Sequence, residues 1–141
     1  MTIVADTGAV LALLDRDARE HRALLEAYRG DPAEWVIPWA ALPEIDYLAG
    51  TRLGPDTARA FRDDVARGRF QVEWNARPDL ARAVELDRVH ADLDLGLVHA
   101  VVLAVAERLE ARAIATLDLR DFAPVRLRTT PELWPRDLPG N

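Results

Sequence analysis

The sequence contains no cysteine and no lysine among its 141 residues. Without cysteine the chain can form neither a disulfide nor a thiolate metal site, which fits a reducing compartment, and we expect a cytoplasmic protein. No run of about 18 apolar residues is present, so no membrane span is expected. The first residues lack the basic region and apolar stretch of a secretory signal, so we expect no export.

Basic residues are fewer than acidic ones, 18 against 24, and the formal net charge is -6. A nucleic-acid-binding protein is more simply basic, so the charge counts modestly against that class. An active site built of carboxylates also makes a protein acidic, and it leaves room for local basic patches. The exclusive use of arginine has two explanations, GC-rich codon usage, which we favour, and the fit of guanidinium groups to phosphate.

The order of apolar segments predicts the fold class. Half of the residues are hydrophobic, enough for one core, and we expect a single domain over residues 1–141. Strands are predicted at residues 3–4, 34–37, 70–74, 113–117 and 125–127, and helices lie between them. Such alternation is typical of an α/β three-layer sandwich, a mainly parallel sheet of four to five strands flanked by helices. Trp35 and Trp74 lie on predicted strands and should pack in the core, and the proline-rich tail 131–141 should wrap the surface or fray.

Three acidic residues occupy equivalent places in this prediction. Asp6 follows the first strand, Asp118 follows the fourth, and Glu44 begins the helix after the second. Because the carboxyl ends of parallel strands share one edge, these carboxylates should converge, and a divalent cation such as Mg²⁺ or Mn²⁺ would offset their repulsion. Such ions activate water against phosphorus. The alternative is that Asp6 only caps the first helix.

Several short motifs place the chain near a known family. They lie at residues 5–13, 43–44, 95–100, 105–109 and 116–122, and together they span nearly the whole sequence. In their order and spacing the chain resembles the PIN-domain ribonucleases, and among those the VapC toxins of toxin–antitoxin (VapBC) pairs. The resemblance implies a metal-dependent endoribonuclease that cuts a structured RNA such as transfer or ribosomal RNA. It also implies a cognate VapB-type antitoxin as inhibitor, and a homodimer.

The resemblance also implies roles for individual residues. Asp6, Glu44 and Asp118 match the acidic metal ligands of the family. Thr7 or Thr116 would hydrogen-bond these acids, and Asp121 takes the place of a polar residue near the site. The antitoxin would lay a segment in a groove near the helices at residues 45–48 and 61–65.

His99 departs from the family pattern, which has an acid at this position. One explanation is an engineered or spontaneous change that silences a toxic enzyme, and another is a natural, attenuated variant. A third is that the imidazole binds the metal and shifts preference from Mg²⁺ towards Mn²⁺ or zinc. The fourth is a packed histidine without a metal role. Asp92 and Asp94 lie upstream as substitutes or, more simply, as solvated acids.

Arginines concentrate between residues 52 and 69, and Arg59 and Arg62 are the candidate RNA contacts. They form either a phosphate track or exposed ion pairs, such as Arg59 with Asp63. The competing functions are a DNA nuclease or phosphatase with the same acids, and a catalytically inactive module that binds RNA or a partner.

Overall fold

The computed structural model describes residues 1–74 and 77–140. Five strands form one sheet in the order β3-β2-β1-β4-β5, and each neighbouring pair is parallel. The strands are β1 (Ile3–Ala5), β2 (Trp35–Pro38), β3 (Gln71–Glu73), β4 (Ala113–Ala115) and β5 (Glu132–Trp134). The predicted α/β class with a parallel sheet is confirmed. The predicted tail also includes Asn141, which lies outside the described residues.

Seven α-helices of the described residues flank the sheet. They are α1 (Thr7–Leu14), α2 (His21–Gly30), α3 (Ala41–Leu48), α4 (Pro55–Ala66), α5 (Arg77–Val89), α6 (Gly96–Arg108) and α7 (Leu119–Phe122). A π-helical segment, Ala49–Leu53, links α3 to α4. No helix of the described ranges is both long and apolar enough to cross a bilayer.

Alternating side chains of the central strands divide the core into two halves. Ile3 and Ala5 of β1 face the cluster that includes residues of α1 to α4, whereas Val4 faces the cluster built on α5 and α6. Helix α6 is buried from Ala100 to Glu107, so its all-round apolar sequence reflects a position inside the molecule. Helices therefore cover both faces, as a parallel sheet requires.

Two salt bridges join α5 to α6, and the arginine belongs to α5 in one of them and to α6 in the other. Arg82 of α5 donates to Glu107 of α6 at 2.7 and 3.0 Å, and Arg108 of α6 donates to Asp79 of α5 at 2.8 and 3.0 Å. Glu107 and Asp79 are 7% and 1% exposed. Such buried carboxylates are tolerated because the planar guanidinium group satisfies both oxygens at once.

The fifth strand was predicted in the wrong place. Residues 125–127 form no strand, and β5 lies instead at Glu132–Trp134, inside the segment predicted to wrap the surface or fray. Thr116 N–H donates to the Trp134 carbonyl at 2.9 Å, and Glu132 N–H donates to the Arg112 carbonyl at 2.9 Å. The prolines at 131 and 135 flank this edge strand, where a missing N–H costs no ladder hydrogen bond.

Trp74 was also predicted wrongly. Trp35 is 1% exposed, as expected, but Trp74 is 66% exposed because β3 ends at Glu73 and the indole lies beyond the edge of the sheet. Arg59 pairs with Asp56 at 3.3 Å, whereas Asp63 pairs with Arg67 at 3.0 Å, so the predicted Arg59–Asp63 pair is absent among the described residues.

Candidate active site

The strand order creates a switch point between β1 and β4. From β1 the chain continues outward to β2 and β3, and it then returns to the other side of β1 with β4. At such a point the connections leave the sheet in opposite directions, which opens a crevice at the carboxyl edge. Asp6 lies there directly after β1, and its backbone N–H donates to the Ala115 carbonyl of β4 at 2.8 Å. The sheet therefore fixes Asp6 at the base of the crevice.

The Thr116 hydroxyl connects the two strand ends. It donates to Oδ2 of Asp6 at 3.0 Å and accepts from the backbone N–H of Asp118 at 3.0 Å. Oδ1 of Asp118 accepts from the backbone N–H of Asp121 at 3.1 Å and caps α7. Asp6 makes no side-chain capping bond to α1, so the capping alternative does not explain its carboxylate.

Glu44 and His99 approach from helices on the two faces of the sheet. Glu44 lies in the first turn of α3. Gly96 has a φ of 77°, a left-handed conformation that favours glycine, and there the chain turns into α6 with His99 near its N-terminus. His99 Nε2 lies 3.5 Å from Asp6 Oδ2 and 3.7 Å from Asp118 Oδ2. Its Nδ1 lies 3.0 Å from Asp121 Oδ2.

These side chains line one opening, which we call the acidic cleft. Its lining includes Asp6, Thr7, Gly8, Leu11, Glu44, Leu48, Arg52, His99, Leu117 and Asp118. Asp6, Glu44 and Asp118 therefore line the same opening, although long stretches of sequence separate them. Arg52 is the one arginine among these lining residues.

The surroundings of Asp6 raise the pKa of its carboxyl group. Burial raises the pKa of its carboxyl group, and the charge of Glu44 raises it further, whereas His99, the Thr7 backbone N–H and the Thr116 hydroxyl lower it. Oδ1 of Asp6 is buried and has no hydrogen-bond partner among the described residues. A buried carboxylate oxygen without a partner is costly, and a cation in the cleft would satisfy it. The donor set therefore fits a divalent ion bound by oxygen.

A second group of candidate ligand atoms overlaps the first. His99, Asp118 and Asp121 each offer an atom within 4.8 Å of the others. Asp121 reaches this group because α7 starts directly after Asp118. The family resemblance implied a place for Asp121 near the site, but neither it nor the spacing along the chain revealed the contact with the His99 ring.

Comparison with known proteins identifies the family. A model described as "PIN domain" matches residues 3–126. The chain belongs to the PIN-domain family. Ribonuclease VapC26 of Mycobacterium tuberculosis is 28% identical over 124 residues, which cover 88% of this chain and 92% of the relative.

Two solved structures share the fold of this PIN domain. One is Mycobacterium tuberculosis VapC20, a toxin that cleaves the sarcin–ricin loop, with a TM-score of 0.76 and 20% identity over 89% of this chain and 97% of the other. The second is the DNA-bound VapBC complex of Salmonella typhimurium, with a TM-score of 0.75 and 16% identity over 95% of this chain and 98% of the other.

The candidate RNA contacts of this PIN domain lie away from the acidic cleft. Arg59 pairs with Asp56 on the exposed side of α4. Arg62 donates to Asp46 at 2.6 Å across the gap between α4 and α3. Arg52, from the same arginine-rich segment, lines the cleft instead, because the π-helical segment carries it towards α1.

The two threonines differ in their contacts. The Thr116 hydroxyl bonds both aspartate segments, as described above, while the buried Thr7 hydroxyl has no hydrogen-bond partner among the described residues. Asp92 and Asp94 are exposed on the connector before α6 and are not among the residues that line the cleft. Sequence alone gives no means to rank these neighbours of the site.

Proposed function

We propose that this PIN domain is a metal-dependent endoribonuclease toxin that cleaves a structured RNA, such as transfer or ribosomal RNA. The observation that carries the proposal is the convergence of Asp6, Glu44 and Asp118 on one cleft, with a buried oxygen of Asp6 left without a partner. The likeness to Ribonuclease VapC26 supports the same activity. We further propose that the protein acts in the cytoplasm, where its RNA substrate would be found.

The carboxylates of Asp6, Glu44 and Asp118 would hold Mg²⁺ or Mn²⁺. When bound, such an ion activates water and stabilises negative charge at phosphorus. The protein's own contribution is positioning. Thr116 fixes Oδ2 of Asp6, and the Asp121 N–H fixes Oδ1 of Asp118, which leaves Asp6 Oδ1 and Asp118 Oδ2 free of these bonds. Ligands held in advance lose little freedom when the ion and substrate bind.

The substrate surface must overcome a net charge of -6. The acidic cleft repels RNA unless cations lie beside it, and Arg52 is among the residues that line the cleft. We assign Arg52 a contact with an RNA phosphate, which positions the backbone without reading sequence.

We propose a VapB-type antitoxin as partner, docked in a groove between α3 and α4. This α3–α4 groove is lined by Leu42, Pro43, Asp46, Phe61, Arg62, Val65, Ala66 and Trp74. It lies at the helices expected from the resemblance, and an exposed Trp74 with an adjacent Arg62–Asp46 pair suits an amphipathic peptide. Glu44 lies on α3 as well and lines the cleft, so the groove and the cleft share this helix.

A homodimer remains part of the proposal. Leu80, Val84 and Val89 of α5 are 39%, 53% and 67% exposed, and the first two are one helical turn apart. Light scattering of the purified protein tests the dimer directly.

One observation favours a second function, an inactive module that binds RNA or the antitoxin. His99 lies 3.5 Å from Asp6 and 3.7 Å from Asp118, at the position where the resemblance implies an acid, so the cleft has one carboxylate fewer to hold an ion. Cleavage of a transfer-RNA pool in Mg²⁺ or Mn²⁺ decides between the two functions. We expect the natural chain to cleave weakly and His99→Asp to cleave faster in Mg²⁺, while Asp118→Asn controls for contaminating nuclease. No cleavage by the natural chain or by His99→Asp would favour the binding module, and equal rates for the two would contradict the attenuating role of His99.

A further inference from the structure

We propose that His99 is a nitrogen ligand of the ion in the acidic cleft, that Asp121 orients it, and that the pair makes the site select Mn²⁺ or Zn²⁺ over Mg²⁺. This inference rests on the proposed metal-dependent function and defines its metal.

The contact with Asp121 sets the orientation of the imidazole. His99 Nδ1 lies 3.0 Å from Asp121 Oδ2. An ionised carboxylate only accepts hydrogen bonds, so this pairing puts the proton on Nδ1 and leaves the lone pair on Nε2. The edge of the Phe122 ring also packs against the imidazole, with 5.0 Å between ring centroids. A carboxylate behind a histidine is the arrangement that fixes metal-binding histidines in general.

Nε2 faces the two aspartates at distances that suit a shared ion. Its separations of 3.5 Å from Asp6 Oδ2 and 3.7 Å from Asp118 Oδ2 exceed normal hydrogen-bond lengths. Ligand atoms at ~2.1 Å from one tetrahedral ion lie ~3.4 Å apart, by the geometry of the tetrahedron. Each of the two separations from Nε2 is therefore close to the spacing of two atoms that bind the same ion.

An imidazolium in place of the ion explains the site less well. Nε2–H would then have to donate to Asp6 or Asp118, yet the separations of 3.5 and 3.7 Å are longer than the usual N–H···O range. Oδ1 of Asp6, which is buried and has no hydrogen-bond partner among the described residues, would also gain none. A cation bound by Nε2 and by the carboxylates would provide a partner for Nε2 of His99 and for the Asp6 carboxylate.

The change of ligand alters ion selectivity. Mg²⁺ binds oxygen almost exclusively and depends on the charge of carboxylates. Neutral imidazole removes one negative charge from the set and replaces it with nitrogen, which transition-metal ions accept. Asp121 stays behind the ring and strengthens its basicity, so the cost falls mainly on Mg²⁺.

Ion binding without RNA tests selectivity. Calorimetric titration of Mn²⁺ and Mg²⁺ into the full chain gives the ratio of the two dissociation constants. We expect His99→Asp to reduce the preference for Mn²⁺ about tenfold or more, and Asp121→Asn to weaken Mn²⁺ binding by about 10–100-fold. The matched control is His90→Gln, a histidine after the end of α5 and outside the cleft, which should change neither constant.

Spectroscopy tests the bond itself. Pulsed electron paramagnetic resonance of Mn²⁺ bound to the natural chain should show ¹⁴N coupling, which His99→Asp should abolish. Asp118→Asn should release the ion and so locate it in the cleft. In a ¹⁵N spectrum with Zn²⁺, the Nε2 signal of His99 should move while those of His21 and His90 stay.

Each outcome gives a decision. Mn²⁺ bound in the cleft without nitrogen coupling, an unchanged selectivity ratio in a folded His99→Asp protein, or no ion binding at all would overturn the inference. The nitrogen coupling is measured on the natural chain, so this test does not depend on whether a variant folds. RNA cleavage without nitrogen coupling would overturn this inference but would still support the ribonuclease proposal. Nitrogen coupling without cleavage in any ion would support this inference but would overturn the ribonuclease proposal.

Discussion

The Thr116 hydroxyl donates a 3.0 Å hydrogen bond to Asp6, a residue 110 positions away in the sequence. The same oxygen accepts from the backbone N–H of Asp118, so one side chain fixes both strand ends that carry the candidate ligands. Thr116 is 1% exposed, and water cannot easily replace it.

This bond predicts a role for Thr116 in ion binding. Thr116→Val keeps the shape but removes the hydroxyl, and we expect Mn²⁺ affinity and RNA cleavage to fall by about 10–100-fold, as for other groups that orient a ligand. Thr116→Ser retains the hydroxyl and should retain most affinity. Calorimetric titration measures both. Equal affinity in the Val and Ser variants would mean that Thr116 does not orient Asp6.

Asp6 should lower the stability of the ion-free protein. Its charge is buried, faces Glu44, and leaves one oxygen without a partner among the described residues. We therefore expect Asp6→Asn to raise the free energy of unfolding at neutral pH by roughly 0.5–2 kcal/mol, the range of common stabilising substitutions. Urea unfolding without divalent ions measures it. Saturating Mn²⁺ should stabilise only the natural chain, and a destabilised Asn variant would contradict the argument.

The convergence of the acids follows from the sequence because it depends on a few strong rules. Ile3 and Val4 form a buried strand, and the residue after a parallel strand lies at the carboxyl edge. Asp6 and Asp118 obey this rule, and Glu44 follows from its place after β2. Their approach needs only the strand order, which the alternation of strands and helices restricts.

Other features depend on packing and escaped prediction. Val125 and Leu127 are apolar enough for a strand, but they are only partly buried. Leu133 and Trp134 pair with β4 instead, and each is only 6% exposed. Short edge strands carry too few residues for a clear pattern. The cleft position of Arg52, rather than Arg59, depends on the π-helical segment, which local sequence does not predict.

Arg52 and Arg59 make a matched pair for RNA binding. Each removes one positive charge when changed to alanine, but only Arg52 lines the acidic cleft. Arg52→Ala should weaken binding of a non-cleaved RNA and reduce the slope of log affinity against log salt by roughly one contact. Arg59→Ala should leave the slope unchanged. Filter binding between low and high salt measures both, and identical slopes would exclude a specific phosphate contact at Arg52.

The α3–α4 groove predicts how the proposed antitoxin would be bound. Trp74→Ala removes an exposed ring from the groove wall and should weaken antitoxin binding by about 2 kcal/mol or more, as aromatic anchors do. RNA cleavage by the free protein should not change, because Trp74 is not among the residues that line the cleft. Tyr47→Ala provides the control, an equally exposed aromatic side chain that is not part of the groove lining. Equal effects of the two changes on affinity would argue against this groove.

The α5–α6 pairing predicts that the buried acid contributes more to stability than the exposed one. Arg82 donates to buried Glu107 and to exposed Glu85, which allows the two acids to be compared against one partner. Breaking a buried pair leaves the other charge without its partner, so Glu107→Gln should lower the free energy of unfolding by about 3 kcal/mol. Glu85→Gln breaks an exposed pair and should lower it by well under about 1 kcal/mol. Unfolding in urea measures both.

The pKa of Glu107 gives the sign of the pH effect. The hydrogen bonds from Arg82, supported by the Arg128 N–H, lower this pKa below its ordinary value of 4.5 despite burial. The unfolded chain therefore binds the proton first, and the contribution of Glu107 is complete above that value and lost as the pH falls through the lowered one. The difference in unfolding free energy between the natural chain and Glu107→Gln should shrink over this acidic window. A difference that stays constant down to the lowest pH would show that the carboxylate charge does not hold α5 against α6.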